Sequence, residues 1–464
     1  MSAVPTPQEL VERALAASTA DDCVVIVRDS TSANLRWANN TLTTNGQMSA
    51  RRATVVSFTA SGAGTAAASA SGSATTVDEV TALVNAADAA ARAADPADDA
   101  RPLLGGRTSE EWDAAPVPTD ITVYDRVAPA LGEAFGRAAG EGRILYGFVD
   151  HDLTTTYLGS STGLRLRHVQ PTGHFACTAK DKDLTASAWL GAATTDFSDI
   201  DPLALDLELA QRLQWARRRV DLPAGRYDTI LPPTAVADLM VDTYWYAGAR
   251  DAWEGQSVYS RRPTGTRIGE RIAAPGVHLR SDPAAAGLEC LPFAVVGASD
   301  SDNSVFDNGL ALGRTDWIRD GELASLVQTR QTADLTQQPA TPYVDNLVLE
   351  VDGGSGTLDD LVAGTERGLL VTSLWYIRLV DPQSLLLTGL TRDGVYLVEG
   401  GEITGAVNNF RWNESPVDLL DRFSHASATT RSFSREWGAD YFPRTATPAL
   451  RIPDFNMSSV SQAM

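Results

Sequence analysis

His174-x-x-Cys177 is the nearest approach to a metal-binding pair in this chain. On a strand, residues three apart point to opposite faces, so the two cannot share one ion. No second pair completes a tetrahedral set, and a strand histidine beside a half-buried cysteine is expected. Asp300-x-Asp302-x-Ser304, followed by Asp307, starts like a calcium loop, but Val305 stands where the loop needs Gly and Ala311 where it needs a bidentate Glu. A polar turn is the expected outcome. Asp352-Gly353-Gly354-Ser355-Gly356-Thr357 could cradle an anion on backbone amides. No Walker lysine follows, and Thr357 with Asp360 makes a helix-capping pair. Ser424-His425 is no nucleophile–base pair by adjacency alone, because triad partners meet in space; His425 is expected near the end of a helix over 416–426. The chain has five His and three Cys and no HExxH, HExxxH or CxxC.

One segment differs in kind. Asp238–Gly255 concentrates Tyr244, Trp245, Tyr246 and Trp253 among Asp238, Asp242, Asp251 and Glu254. Aromatics with polar tips are common at interfaces and binding grooves. The competing reading is a helix that buries its aromatic stripe in its own core, and sequence leaves both open.

The elements that must position these residues follow from composition and periodicity. At 464 residues the chain exceeds one typical core, so two or three domains are expected. A formal charge of −21 disfavours nucleic acid and anionic membrane surfaces. Lys180 and Lys182 are the only lysines; the Arg and Ala bias reads as that of a GC-rich genome. Cys23, Cys177 and Cys290 form no disulfide framework. The amino-terminal stretch lacks a basic region followed by an apolar one, and no apolar run is long enough to span a bilayer. A cytoplasmic protein is expected.

Thr6, Pro7 and Glu9 mark a capped first helix. Short strands are expected at Cys23–Arg28, Asn34–Ala38, Ala53–Thr59 and Thr65–Ser71, with a turn at Asn45-Gly46 and a helix over 77–94. Asp95–Asp120, rich in Pro, Asp and Gly, reads as a linker. A helix near 124–140, strands over 144–150, 154–160, 164–169 and 173–179, and a helix at 202–218 follow. The rest opens with a helix near 234–247 and becomes strand-rich. The expected class is α+β: N-terminal α/β domains, each a strand meander with flanking helices, then a large, mostly antiparallel, barrel-like β domain. The expected divisions are 1–100, 101–225 and 226–464.

The second half carries a resemblance. Thr266-Arg267-Ile268-Gly269-Glu270, Phe306-Asp307-Asn308-Gly309, Asp320-Gly321-Glu322-Leu323, Gly368-Leu369-Leu370-Val371-Thr372, Leu390-Thr391-Arg392-Asp393-Gly394 and Val407-Asn408-Asn409-Phe410-Arg411-Trp412-Asn413-Glu414 occur in the order and spacing of the TldD/TldE (PmbA) group. The sequence resembles that group over nearly its full length. The resemblance implies a two-component protease. TldD-type subunits carry an HExxxH helix and a later Cys that bind zinc, TldE/PmbA-type subunits lack them, and the two form a heterodimer enclosing the site. The HExxxH helix should fall just before Arg267, in Asp238–Gly255, which has no His, and no Cys follows Cys290.

The resemblance therefore implies a TldE/PmbA-like, non-catalytic subunit with no cofactor of its own. Zinc is expected in a TldD-like partner, and unfolded or modified peptides are the expected substrate. The surface expected to face the chamber or partner comprises Asp238, Asp242, Tyr244, Trp245, Tyr246, Trp253 and Glu254. Asn408, Asn409, Arg411 and Asn413 are candidate peptide-binding residues, because amides pair with peptide backbone; a turn network within the β domain is the competing reading. Two alternatives stand beside this one. The chain could bind peptides or assist assembly without a peptidase partner, or it could be a hydrolase with its own non-zinc site.

Overall fold

Helix α1, Pro7–Ala17, begins at a complete capping box: Glu9 N donates to Thr6 Oγ1, and Thr6 N donates to the Glu9 carboxylate at 2.7 Å. Thr76 and Glu79 repeat the device at α2, Val77–Ala93. The computed structural model describes residues 4–62, 64–439 and 441–462. Both helices lie on a six-stranded antiparallel sheet ordered β3-β2-β1-β4-β5-β6, where β1 is Asp22–Ala38, β2 Thr41–Ser61, β3 Gly64–Ser73, β4 Arg143–Ser160, β5 Arg165–Asp181 and β6 Ser187–Thr194. Strand alternation divides the cores. Cys23, Val25 and Val27 pack with Leu10, Val11 and Val84 of the helices, whereas Val24 and Ile26 face Phe293 and Phe306 from the second half of the chain. Farther along the same sheet, Trp37 of β1 and Phe175 and Cys177 of β5 pack under α3, Val127–Gly140, and α4, Pro202–Trp215.

The strands are longer than the sequence pattern indicates. Cys23–Arg28 and Asn34–Ala38 are parts of one strand of 17 residues, because polar Asp29–Ser32 pairs with both β2 and β4 instead of turning. Asn45-Gly46, expected as a turn, lies inside β2 opposite Leu35 and Asn34. The reversal falls at Asn39 and Asn40, with φ of 52° and 58°, the two left-handed residues a tight hairpin turn requires. Pro171 sits within β5 opposite Leu153 of β4, just outside the pairing with β6.

The second half builds two more sheets around α5, Pro233–Trp245, and the short α6, Ala249–Trp253. One has six strands. The other has ten and runs Leu374–Asp381, Leu386–Thr391, Phe410–Glu414, Leu450–Val460, Gly225–Leu231, Arg367–Val371, Val395–Glu399, Glu402–Val407 and Arg219–Val220, with His425–Ala426 added against Leu450–Val460. The class is mixed α+β with three sheets. Barrel closure, expected from the run of hairpins, is not found among the described residues. Long connections bring Gly225–Leu231 and Arg219–Val220 into parallel pairing with later strands, and the sheet stays open, with a two-residue strand at one edge. His425, expected on a helix, lies on the added strand because the helix ends at Arg422. No helix among the described residues is long and apolar enough to cross a membrane.

One close approach in the ten-stranded sheet is testable. Gly389 lies opposite fully buried Trp412, and a Cβ at Gly389 would stand 2.5 Å from the indole. Gly389→Ala is expected to lower stability by about 1–3 kcal/mol through overpacking, read as a fall in the urea midpoint with unchanged slope.

Candidate functional site

Helix α5 is buried on every side, from Ala235 through Tyr244, which marks a core element rather than an amphipathic surface helix. Asp238 and Asp242 are one helical turn apart and so share a face. That face meets the loop from Ser434 to Trp437. Asp238 accepts from the Ser434 hydroxyl and from Glu436 N, at 2.9 Å for the latter, and Asp242 accepts from Trp437 Nε1 at 3.1 Å. Burial pushes the Asp238 carboxyl well above its usual range against those hydrogen bonds. Burial also raises Asp242 to about 7, with the Trp437 bond opposing and the nearby Glu436 charge adding to the rise.

Glu436 turns the other way. Its carboxylate accepts from the backbone N–H of Tyr376 at 3.0 Å and of Ile377 at 3.1 Å. The strand bulges there, and Tyr376 sits at φ 54°, an unusual conformation for a bulky residue. The bulge turns two adjacent amides toward one carboxylate. Trp245, at the end of α5, packs edge-on against Trp437 with centroids 5.0 Å apart, and Tyr441 closes the group. Tyr441 is 69% exposed, Tyr376 is 53% exposed, and the Arg378 guanidinium lies 4.1 Å above the Tyr376 ring.

The segment expected to face a chamber or partner therefore divides. Asp238, Asp242 and Tyr244 are core residues; Trp245, Tyr246 and Trp253 are half-buried; Glu254 is exposed and pairs with Arg250 at 3.2 Å.

Asn408, Asn409, Arg411 and Asn413 divide too. Asn408 and Asn409 line a cleft of about 720 Å³ between the β5–β6 turn and the ten-stranded sheet, whereas Arg411 and Asn413 lie outside it. Asn408 Oδ1 accepts from Leu222 N at 2.7 Å, Asn409 Oδ1 accepts from the Thr391 hydroxyl at 3.1 Å, and Asn413 Oδ1 accepts from Thr388 and Ser458. The opposite wall is the tight loop of Arg392, Asp393 and Gly394. Asp393, at φ 52°, accepts from the Ser187 hydroxyl and from Arg435. Burial opposes ionisation of Asp393, yet the Arg435 guanidinium and the Ser187 bond hold its carboxyl below the usual range. Arg435 also stacks on Trp189 at 4.7 Å and Trp375 at 5.2 Å. In the sequence Arg392-Asp393-Gly394 stands out only as part of a family motif and nothing marks Arg435; no spacing rule links residues 42 positions apart.

The other constellations resolve as turns and core. His174 stacks on Phe433 while Cys177 enters the core beside Trp37, on the opposite face of β5. Asp300 Oδ1 accepts from Asp302 N and Asn303 N, a polar turn, and Thr357 with Asp360 forms a capping box. Among the described residues no group of three or more His, Cys, Asp or Glu is placed to hold a metal ion.

Residues 224–459 match the family model described as the PmbA/TldA metallopeptidase C-terminal domain, and residues 70–217 match that of the PmbA/TldA metallopeptidase central domain. No curated protein matches. Among solved structures, TldE from Thermococcus kodakarensis is similar at 16% identity and TM-score 0.74, covering 96% of this chain and 98% of that one. A candidate modulator of DNA gyrase from Thermotoga maritima is similar at 15% identity and TM-score 0.75, covering 97% of this chain and 100% of the other. Another, from Bacteroides thetaiotaomicron, is similar at 14% and 0.72, covering 98% of each. At these identities the structural likeness establishes the fold.

Proposed function

Since this chain belongs to the PmbA/TldD metallopeptidase family, we propose that it is a TldE-type subunit, supporting proteolysis by a zinc-bearing partner without holding the zinc. The observation that carries this reading is α5. It occupies the stretch where the resemblance places the HExxxH helix, and it offers two buried carboxyls already bonded to Ser434, Glu436 and Trp437. Catalytic zinc takes three protein ligands, an open position for water and a base beside it. Neither the residue types nor the burial of α5 fit that group, so no step through a metal is derived for this chain.

What remains is support. The aromatic group of Trp245, Trp437 and Tyr441, with Tyr376 and Arg378 beside it, has the composition of an interface. We place the partner-facing surface there, with Tyr246, Trp253 and Glu254 as further contributors. The substrate is an extended stretch of unfolded or modified peptide, met by the partner's zinc site in a chamber that this chain helps to wall. The cleft beside Asn408 and Asn409 is the peptide-handling feature on this side.

The test is mixing with a zinc-bearing family member. The expected result is a stable complex, zinc carried in by the partner alone, and peptide hydrolysis absent from this chain by itself. The absence of both complex and activity on mixing overturns the reading, as does hydrolysis by the isolated, metal-free chain.

A further inference from the structure

We propose that the cleft of about 720 Å³ is an anion subsite that takes the free C-terminal carboxylate of an extended peptide. The proposal rests on the peptide-handling reading above and adds a ligand group and a polarity to it.

Charge is the first argument. In a chain of formal charge −21, this cleft is lined by Lys180, Arg219, Arg392 and Arg435 against Asp221 and Asp393. Arg435 and Asp393 neutralise each other, both side chains being 8% exposed. Three cations are left to one acid. The side chains of Lys180 and Arg219 have no ion-pair partner among the described residues, and Lys180 is one of only two lysines in the sequence. Low-dielectric walls focus such a local positive field even when the whole molecule is acidic.

The second argument is an imbalance of hydrogen-bonding groups. Buried polar atoms are normally paired. Two groups of residues lining this cleft are buried and have no hydrogen-bond partner among the described residues: Arg392 Nε and the Tyr396 hydroxyl. Arg392 Nε stands 3.5 Å from Asp393 without bonding it. Tyr396 is itself 1% exposed. A guanidinium N–H can only donate, and a phenol hydroxyl has one proton to give, so both groups at this wall lack an acceptor. An ionised carboxylate is a pure acceptor and pairs with guanidinium through charge-assisted bonds.

The third argument is pre-organisation. The Arg392 guanidinium lies 5.4 Å over the Trp375 ring, with Arg435 over the same ring at 5.2 Å. Stacking restricts both side chains before any ligand arrives, which lowers the ordering cost of binding. Leu184 and Val407 on the same lining supply apolar surface for the side chain next to the carboxylate.

The experiment is calorimetric titration of the full chain with an N-acetylated hexapeptide bearing a free C-terminal carboxylate and with its C-terminal amide twin. The acid is expected to bind at least about tenfold more tightly than the amide. Lys180→Gln and Arg392→Gln are each expected to shrink that ratio. If Arg392→Gln fails to fold, Lys180→Gln and Arg219→Gln carry the test, since neither side chain has an ion-pair partner to lose among the described residues. Equal binding of acid and amide, no binding of either at millimolar concentration, or inorganic phosphate binding more tightly than the acid each overturns the proposal. So does a ratio that survives the Lys180→Gln/Arg219→Gln pair. The two readings fail separately. Activity on mixing without acid–amide discrimination removes only the subsite, and discrimination without a partner complex removes only the subunit assignment.

Discussion

Asp242→Asn is expected to flatten a fall in stability that the parent chain shows as pH rises from about 4 to about 7. The sign follows from burial. In the folded chain the Asp242 carboxyl is raised from 3.8 to about 7, while in the unfolded chain it ionises at its ordinary value. Between those limits the folded state binds the extra proton, so raising the pH favours unfolding; above about 7 both states are ionised and the slope vanishes. A shift of this size corresponds to roughly 4 kcal/mol at most. The charges that face the group are Glu436, which opposes ionisation, and Arg378, which favours it. Asparagine keeps an acceptor for Trp437 Nε1 and removes the titration. Urea unfolding at pH 4.5, 6 and 8 should find the variant level with the parent at the lowest pH and about 2 kcal/mol or more ahead at the highest. Parallel pH profiles for the two proteins would refute the assignment. The result bears on function, because a carboxyl whose ionisation is disfavoured by burial must give up a proton before it can bind a metal.

How much of this was legible beforehand depended on the range of the interaction. Local signals were read well. The capping boxes at Thr6 and Thr357 and the parity that separates His174 from Cys177 depend on neighbours within four residues. Strand length was misread, because Asp29–Ser32 is polar for reasons of cross-strand pairing that one segment does not display. The turn at Asn39 and Asn40 was overlooked because Asn45-Gly46 carries the stronger dipeptide signal; register, set by two neighbouring strands, decided the matter. Asp238 and Asp242 were singled out by type and spacing. What they touch, Ser434 to Trp437, lies almost two hundred residues away, and no periodicity encodes that meeting. The cleft is the extreme case. Its walls come from β5, the residues near 219, the 392–394 loop, the 407–409 stretch and Arg435, and only the topology of the open sheet assembles them.

Arg435→Ala is expected to lower stability by about 3–5 kcal/mol at neutral pH, the usual consequence of removing one partner from a buried ion pair. Asp393 would remain, 8% exposed, with its Ser187 hydrogen bond but without the guanidinium that favours its charged form. The parent carboxyl is held below its ordinary value, so its contribution is complete above about pH 4 and is lost as pH falls through the folded value. Without Arg435, burial dominates and the carboxyl moves up. The deficit of the variant should therefore be largest near pH 7 and shrink toward pH 4. Asp393→Asn is the informative second change, since Asn tolerates the left-handed backbone at that position and removes the stranded charge. Arg435→Ala/Asp393→Asn is expected to be more stable at pH 7 than Arg435→Ala alone, a coupling of opposite sign to simple addition. Any deficit that persists in the double variant belongs to packing, because the Arg435 side chain also covers Trp189 and Trp375. Strict additivity in urea unfolding would show instead that the pair is incidental and that stacking on the two indoles is what fixes Arg435 at the wall of the cleft.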